Sequence, residues 1–158
     1  SGLITGTQWD MMMKFLSESS DYSDMKSTNW GNYDNVSLSN LRGYYTNVNT
    51  SNASTDGFKD ASSFTTNSGT SSWVILTTGS TSQVLRKGLY DVAGNLWEWT
   101  QEASYVANLG YNTTYNTYNL RGGSFYYAYA SYPACYREYN YAPSTHTNFG
   151  FRPVLYIK

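Results

Sequence analysis

The sequence predicts an α+β domain built from short antiparallel strands, one or two helices and long polar loops. Two observations lead to this prediction. Trp9, Met12, Met13 and Leu16 recur at the spacing of one buried helix face near the start of the chain. Short apolar runs bounded by Gly, Ser, Thr and Asn come later, which is typical of strands joined by turns. A chain of 158 residues can build one core, so we expect a single domain over 1–158.

The predicted helix covers residues 6–16. Thr7 is expected to be its N-cap, with Asp10 three residues further on as in a capping box. Strands are predicted at 73–77 (WVILT), 96–100 (LWEWT) and 149–157, where apolar residues alternate or form short runs.

A polar stretch separates the first elements from the later motifs. Between positions 46 and 72, 17 of 27 residues are Ser, Thr or Asn. Such a stretch buries too little apolar area to fold alone, so we expect long loops wrapped on the core. Phe58, Phe64 and Trp73 are the expected anchors of these loops.

Composition excludes several classes of function. Charged residues make up 13% of the chain and the net charge is -1, so nucleic acid is not an expected partner, because phosphate binding needs clustered Lys and Arg. No apolar stretch approaches the ~20 residues of a membrane-spanning helix. The single cysteine, Cys135, excludes an intramolecular disulfide and a cysteine-based zinc site. Ser1-Gly2 is typical of tag removal, so we expect native N-terminal residues to be missing.

Tyrosine is concentrated near the C-terminus. The chain has 17 Tyr against 6 Phe and 5 Trp, and seven of the tyrosines lie between positions 126 and 141. A core segment of this length does not need so many buried and satisfied hydroxyls. We therefore expect many of these side chains to face solvent or a ligand.

Three motifs carry a family resemblance. Residues 88–100 (GLYDVAGNLWEWT), 120–125 (LRGGSF) and 148–154 (NFGFRPV) occur in this order. In order and approximate spacing they resemble the formylglycine-generating enzyme (sulfatase-modifying factor) family, and the helix at 6–16 and Trp30-Gly31-Asn32 are similar to its opening segment. The resemblance implies a variant of the C-type lectin fold.

The resemblance also implies a structural calcium ion. The positions that correspond to a calcium shell in the enzyme family are Asp91, Gly94, Leu96 and Glu98, with two side chains and two backbone carbonyls as ligands. Oxygen-only ligands suit Ca²⁺. Hydrogen bonding at a turn and a strand end is the alternative interpretation of the two acids.

No catalytic residue is predicted, and no catalytic cofactor. The two cysteines that hold copper in the enzyme family correspond to Tyr127 and Tyr132, which cannot form thiolates. Cys135 is out of register with that pair. His146 is the only histidine and has no obvious acidic partner in the sequence.

Residues 121–152 are expected to be a variable ligand-binding region. A motif opens the segment and another closes it, and Arg121 and Arg152 are expected to hold this frame through internal hydrogen bonds. The residues between them are rich in Tyr, Ser, Ala and Asn. This pattern resembles the variable proteins diversified by retroelements, such as the phage major tropism determinant, whose setting is a phage tail or a bacterial surface.

The predicted function is therefore non-enzymatic binding of a protein or glycan ligand on a cell or phage-host surface. Tyrosine suits this role because it offers a large contact area with few torsions to freeze. The alternative is an enzyme, or degenerate enzyme, of the formylglycine-generating family. Lectin activity proper has no sugar-binding signature to support it. The candidate contact residues are Tyr127, Tyr129, Tyr132, Tyr136, Tyr139, Asn140, Tyr141 and His146, of which we expect at least two tyrosines to be mainly structural.

Overall fold

The computed structural model describes residues 1–26, 30–49, 54–55, 57–62, 64, 73–104 and 117–155. The described part contains one α-helix, short 3-10 turns at Ser23–Lys26 and Ser82–Val84, and twelve short strands. In chain order the elements are β1 (Gly2–Leu3), α1 (Gly6–Leu16), β2 (Tyr44–Asn49), β3 (Ser54–Thr55), β4 (Lys59–Asp60), β5 (Val74–Leu76), β6 (Leu85–Arg86), β7 (Leu89–Tyr90), β8 (Trp97–Ser104), β9 (Thr117–Arg121), β10 (Glu138–Tyr141), β11 (Phe149–Phe151) and β12 (Pro153–Val154).

Helix α1 has the predicted bounds but a different cap. The Thr5 hydroxyl accepts the backbone N–H of Gln8 at 3.2 Å, and the Gln8 side chain accepts the N–H of Thr5 at 2.9 Å. This reciprocal pair is a capping box. The prediction of Thr7 and Asp10 was therefore wrong by two residues at the cap, and Asp10 instead forms an ion pair with Arg121.

The buried face of α1 matches the predicted periodicity. Trp9, Met13 and Leu16 are buried, and Met12 is partly buried against the same core cluster. The indole N–H of Trp9 donates to the Ala134 carbonyl oxygen at 3.0 Å, across 125 residues of sequence. Helix α1 is thus attached directly to the tyrosine-rich segment.

One four-stranded sheet has the strand order β10-β9-β8-β11. Strand β11 runs parallel to β8, and the other two pairings are antiparallel. The register places Trp97, Trp99, Leu120 and Phe149 on one side, which we call the aromatic face. Glu98 and Arg121 lie opposite each other on the other side, which we call the helix face because Arg121 contacts α1. The two tryptophans share a face as predicted.

The second sheet corrects the prediction of long loops over residues 46–72. Strand β2 pairs with β3, β4 and β5, so residues 46–49 belong to a strand that has neighbours on both sides. Thr46 and Val48 are buried at alternate positions, as in a strand with one covered face. Parts of this stretch lie outside the described residues.

The anchors of this region differ in their burial. Phe64 stacks on Tyr45 with ring centroids 4.3 Å apart, and the Trp73 indole N–H donates to Asp34 at 3.0 Å. Phe58 is exposed, so its predicted role as an anchor was wrong.

The predicted terminal strand is divided in two at Arg152. Strand β11 pairs with β8, whereas β12 pairs with β1 at the start of the chain. Arg152 turns its side chain toward Glu98 on the helix face. Residues 156–157 of the prediction lie outside the described residues.

Candidate ligand-binding surface

The turn after β9 places the tyrosine-rich segment against the aromatic face. Gly122 and Gly123 have φ values of 95° and 76°, in the left-handed region that favours glycine. A Cβ on Gly123 would lie 2.4 Å from the backbone oxygen of Tyr132, so only glycine allows this approach. The Tyr33 hydroxyl donates to the Gly122 carbonyl oxygen at 2.8 Å and holds the turn on the core.

Three of the predicted contact residues meet on one buried tryptophan. The ring centroids of Tyr127, Tyr132 and Tyr136 lie 6.4, 5.6 and 6.3 Å from that of Trp97. The tyrosine rings also pack on each other, at 4.4 Å for Tyr127–Tyr132 and 4.9 Å for Tyr132–Tyr136. We call these four residues the Trp97 cluster. The tyrosines cover Trp97 on their inner side and are partly exposed on their outer side, Tyr136 the most at 38%.

Two aromatic residues extend the Trp97 cluster. Tyr126 lies 5.0 Å from Tyr127, and Trp73 lies 4.5 Å from Tyr126 between ring centroids. Neither was predicted as a contact residue. Tyr126 belongs to the same tyrosine run as Tyr127, and that run was the available signal. Trp73 is 53 positions earlier than Tyr126, and nothing in the sequence pattern joins them.

Tyr127 and Tyr136 of the cluster are held in the neutral form. Burial raises the pKa of Tyr127, and Tyr132, Tyr126 and the Glu138 carboxylate add to this effect. Burial also raises the pKa of Tyr136, with Glu138 as the next cause. Their hydroxyl groups therefore stay available as both hydrogen-bond donors and acceptors well above neutral pH.

Tyr129 faces the core rather than the surface of the cluster. Its ring packs on the edge of buried Tyr33 with centroids 6.4 Å apart, and it is partly buried against the core under α1. Its backbone N–H donates to the Asn35 side chain at 3.1 Å. The structure thus assigns Tyr129 a mainly structural place, as expected for some of the tyrosines.

The edge strand β10 carries three further predicted residues. Tyr139 and Tyr141 are exposed and alternate with Glu138 and Asn140, so the two pairs leave the sheet on opposite faces. The Asn140 side-chain oxygen accepts from the Ser144 hydroxyl at 2.8 Å. Asn140 therefore holds the turn after β10, while the two tyrosines remain accessible.

His146 lies apart from the Trp97 cluster. It is exposed, and its ring centroid is 5.5 Å from that of Phe149. Its Nδ1 accepts the backbone N–H of Asn148 at 3.4 Å. The described contacts of His146 include no acidic side chain.

The acids predicted to bind calcium already have a cation beside them. Arg152 donates to both carboxylate oxygens of Glu98, at 2.8 and 2.7 Å, and to the Asp91 backbone oxygen at 3.0 Å. The Asp91 side chain accepts the Gly79 N–H at 3.0 Å. Burial raises the pKa of both carboxyl groups, while Arg152 opposes the rise.

This arrangement does not fit a calcium ion at Glu98, because the ion would have to displace the Arg152 guanidinium. Gly94 and Leu96, whose carbonyls would complete the shell, lie between the two acids in the turn before β8. Within the described ranges, no group of three or more His, Cys, Asp and Glu side chains is arranged to hold a metal ion. The calcium site therefore stays a prediction of the resemblance.

The positions that correspond to the copper cysteines are neighbours in space. Tyr127 and Tyr132 have the shortest ring separation of the cluster. Cys135 is half-buried next to core residue Ala134, and burial raises the pKa of its thiol. A raised pKa disfavours the thiolate that nucleophilic or metal chemistry requires.

The two arginines of the frame are both paired on the helix face. Arg121 is fully buried and pairs with Asp10 of α1, which also pairs with Arg137. Arg137 also contacts Glu102 at 2.9 Å. The predicted internal role of Arg121 and Arg152 is confirmed, whereas Arg137 and Glu102 were not foreseen.

Together these features define a mostly-strand domain with one helix in its described part and an exposed tyrosine surface over a buried tryptophan. Residues 18–157 match the family model of the sulfatase-modifying factor enzyme 1-like (FGE-sulfatase) domain. The chain belongs to this family.

Solved structures support the same fold. The crystal structure of CarF aligns with a TM-score of 0.54 and 17% sequence identity, over 96% of this chain and 46% of the CarF chain. The chain thus spans less than half the length of CarF. No curated protein matches the sequence significantly. No helix in the described part of the chain is long and apolar enough to cross a membrane.

Proposed function

We propose that this chain is a non-enzymatic ligand-binding domain whose contact surface is centred on the Trp97 cluster. One observation carries the proposal. The two positions at which the resemblance implies copper-binding cysteines are Tyr127 and Tyr132, packed on each other and on Trp97. Phenol side chains cannot supply the soft thiolate ligands of that chemistry, but they suit recognition.

The physical chemistry of the surface supports binding. Each tyrosine of the cluster is held by ring contacts on its inner side, so little side-chain entropy remains to be lost when a ligand covers the outer side. The neutral hydroxyl groups can donate and accept hydrogen bonds at the same time. Exposed Tyr139 and Tyr141 on β10 leave the sheet on the helix face, so the contact surface over Trp97 does not include them.

We also propose that residues 121–152 form a variable segment on a C-type lectin fold, diversified by a retroelement and displayed on a phage tail or bacterial surface. Arg121 and Arg152 bound this segment and are paired with Asp10 and Glu98. Exposed side chains between them can therefore change while the frame is kept. The expected genetic signature is a neighbouring reverse transcriptase and a near-copy of the segment's DNA with adenines at the Tyr codons.

A binding screen with matched variants tests the proposal. The probes are a glycan array and intact bacterial cells of a strain panel, with the labelled domain as reagent. We expect wild type to bind at least one probe. The variant Tyr136→Ser should lose most of that binding while its melting temperature stays within a few degrees. The matched control Tyr139→Ser with Tyr141→Ser changes exposed tyrosines on the helix face and should keep it. Retention of all binding by Tyr136→Ser would contradict the surface.

The enzymatic alternative rests on family membership and has its own assay. The substrate is a synthetic peptide with the Cys-x-Pro-x-Arg pattern, incubated with the domain, copper and oxygen. We expect no conversion of the peptide cysteine by mass spectrometry. Conversion that depends on the domain would overturn the non-enzymatic proposal.

A further inference from the structure

The charges around the Trp97 cluster are distributed unevenly between the two faces of the sheet. On the helix face, Asp10 and Glu102 are paired with Arg121 and Arg137, and Glu98 is paired with Arg152. Every acid of these pairs therefore has a cation beside it.

Glu138 is an acid on the aromatic face of the sheet. It begins β10, and the register places it beside Leu120, which itself lies beside Trp99. Glu138 is therefore on the aromatic face, two residues after Tyr136. It is half-buried, and its charge is felt by both Tyr127 and Tyr136.

The carboxylate of Glu138 has few partners among the described residues. One oxygen accepts the backbone N–H of the next residue, Tyr139, at 3.1 Å. Among the ion pairs that join described residues, none includes Glu138. A half-buried carboxylate without a cation lacks the partner that would offset its partial desolvation.

The aromatic rings beside Glu138 also favour a cation. The faces of aromatic rings carry the negative part of a quadrupole, so they attract cations placed over them. Tyr127, Tyr132 and Tyr136 are packed closely enough that one group seated between their outer sides would contact more than one ring. Burial, neighbouring tyrosines and the Glu138 carboxylate raise the pKa of Tyr127 and Tyr136, and no described Lys or Arg is among the causes.

We propose that the Trp97 cluster and Glu138 together form a seat for a cationic side chain, an arginine or lysine presented by a protein ligand. The inference rests on the proposed binding function and specifies the partner's chemistry. The guanidinium or ammonium group lies over the tyrosine rings and forms an ion pair with Glu138. A neutral glycan would stack on the same rings without needing the charge.

A small-molecule titration tests the cation directly. The probes are L-argininamide and L-citrullinamide, which differ in the side-chain group that carries the positive charge. Binding is followed by NMR through the Trp97 indole N–H and the backbone amides of residues 126–138. We expect argininamide to shift these signals with an affinity on the order of millimolar, and citrullinamide to bind at least about fivefold more weakly.

Three variants locate the effect. Glu138→Gln keeps the shape and hydrogen-bonding oxygen but removes the charge, and we expect about a fivefold loss of argininamide affinity. Tyr136→Leu keeps an apolar cover over Trp97 but removes a ring, and we expect a similar loss. Asp60→Asn removes one negative charge from the second sheet and should leave the affinity unchanged.

Each outcome decides the inference. Equal affinity for the two amides, unchanged affinity in Glu138→Gln, or shifts centred elsewhere would overturn it. Those results leave the binding proposal intact if the glycan or cell probe bound by wild type is still lost in the Tyr136→Ser variant. If that probe is retained by the variant, the binding proposal itself fails.

Discussion

Tyrosine side chains that are equivalent in the sequence have different surroundings in the structure. Tyr129 packs on Tyr33 in the core, whereas Tyr139 stands exposed on an edge strand. Tyr127, Tyr132 and Tyr136 are between these extremes, because each covers Trp97 and also faces outward. At the scale of the residue, structural and contact roles therefore coexist within one short segment.

This difference gives the first prediction of stability. Tyr129→Ala removes a ring from the core and should lower the free energy of unfolding by about 2–4 kcal/mol. Tyr139→Ser removes an exposed ring and should change it by no more than about 0.5 kcal/mol. Urea unfolding followed by tryptophan fluorescence measures both. Equal losses in the two variants would mean that the tyrosines are not divided in this way.

The sequence predicted residue identity better than residue role. Seven tyrosines in a short span predicted that some would be exposed, because their number exceeds what a core can satisfy, and Tyr136, Tyr139 and Tyr141 are exposed. Which tyrosine turns inward depends on the Gly122–Gly123 turn and on Tyr33, 96 positions before Tyr129. No local pattern carries that information.

Elements were predictable where their periodicity is local. The bounds of α1 and the strand at 74–76 follow from apolar spacing within a few residues. Pairings between distant segments were not predictable in the same way. Strand β1 pairs with β12, and β11 joins β8 in parallel, and each pairing depends on a register that only the assembled core determines.

The break between β11 and β12 has a functional consequence at the scale of the element. Arg152, at the break, forms a bidentate ion pair with Glu98, whose carboxylate the family resemblance assigns to calcium. A bidentate pair of this kind satisfies both Glu98 oxygens and resists replacement. Arg152, between β11 and β12, therefore supplies the positive charge beside Glu98.

The second prediction follows from this pairing. Removal of divalent ions with EDTA should leave the melting temperature unchanged, because Arg152 rather than an ion neutralises Glu98. Differential scanning calorimetry with EDTA and with added Ca²⁺ checks it, with elemental analysis as a second readout. A fall in melting temperature that Ca²⁺ reverses would restore the calcium site.

At the scale of the whole molecule, charged side chains join distant parts of the chain. Asp24 accepts hydrogen bonds from Ser17 and from the Glu18 N–H at the end of α1, and it pairs with Arg86 of β6 at 3.3 Å. Burial opposes ionisation of Asp24, but these hydrogen bonds, one from Ser19 and the Arg86 charge outweigh it and lower the pKa to about 2. Asp24 therefore links the end of α1 to β6 through charge only while its carboxyl group is ionised.

The sign of its pH effect follows from linkage. The folded pKa of Asp24 lies below the unfolded value of about 3.9, so the stabilisation is present above about pH 4 and is lost as pH falls through about 2. Burial raises the pKa of Asp91 and Glu98, and their protonation on acidification acts in the opposite direction. Comparison of wild type with a single variant separates Asp24 from these groups.

Asp24→Asn should therefore flatten the acid limb of the stability curve. The carboxylate is partly exposed, so after allowance for solvent screening we expect wild type to lose about 1 kcal/mol more than the variant between pH 5 and pH 2. Thermal melts across this range, followed by circular dichroism, give the difference. Asp60→Asn is the matched control, because Asp60 is fully exposed and its pKa is lowered only by Ser62, and it should keep most of the wild-type acid limb. If the Asp24 and Asp60 variants lose stability in parallel with wild type, the junction between α1 and β6 does not depend on this charge.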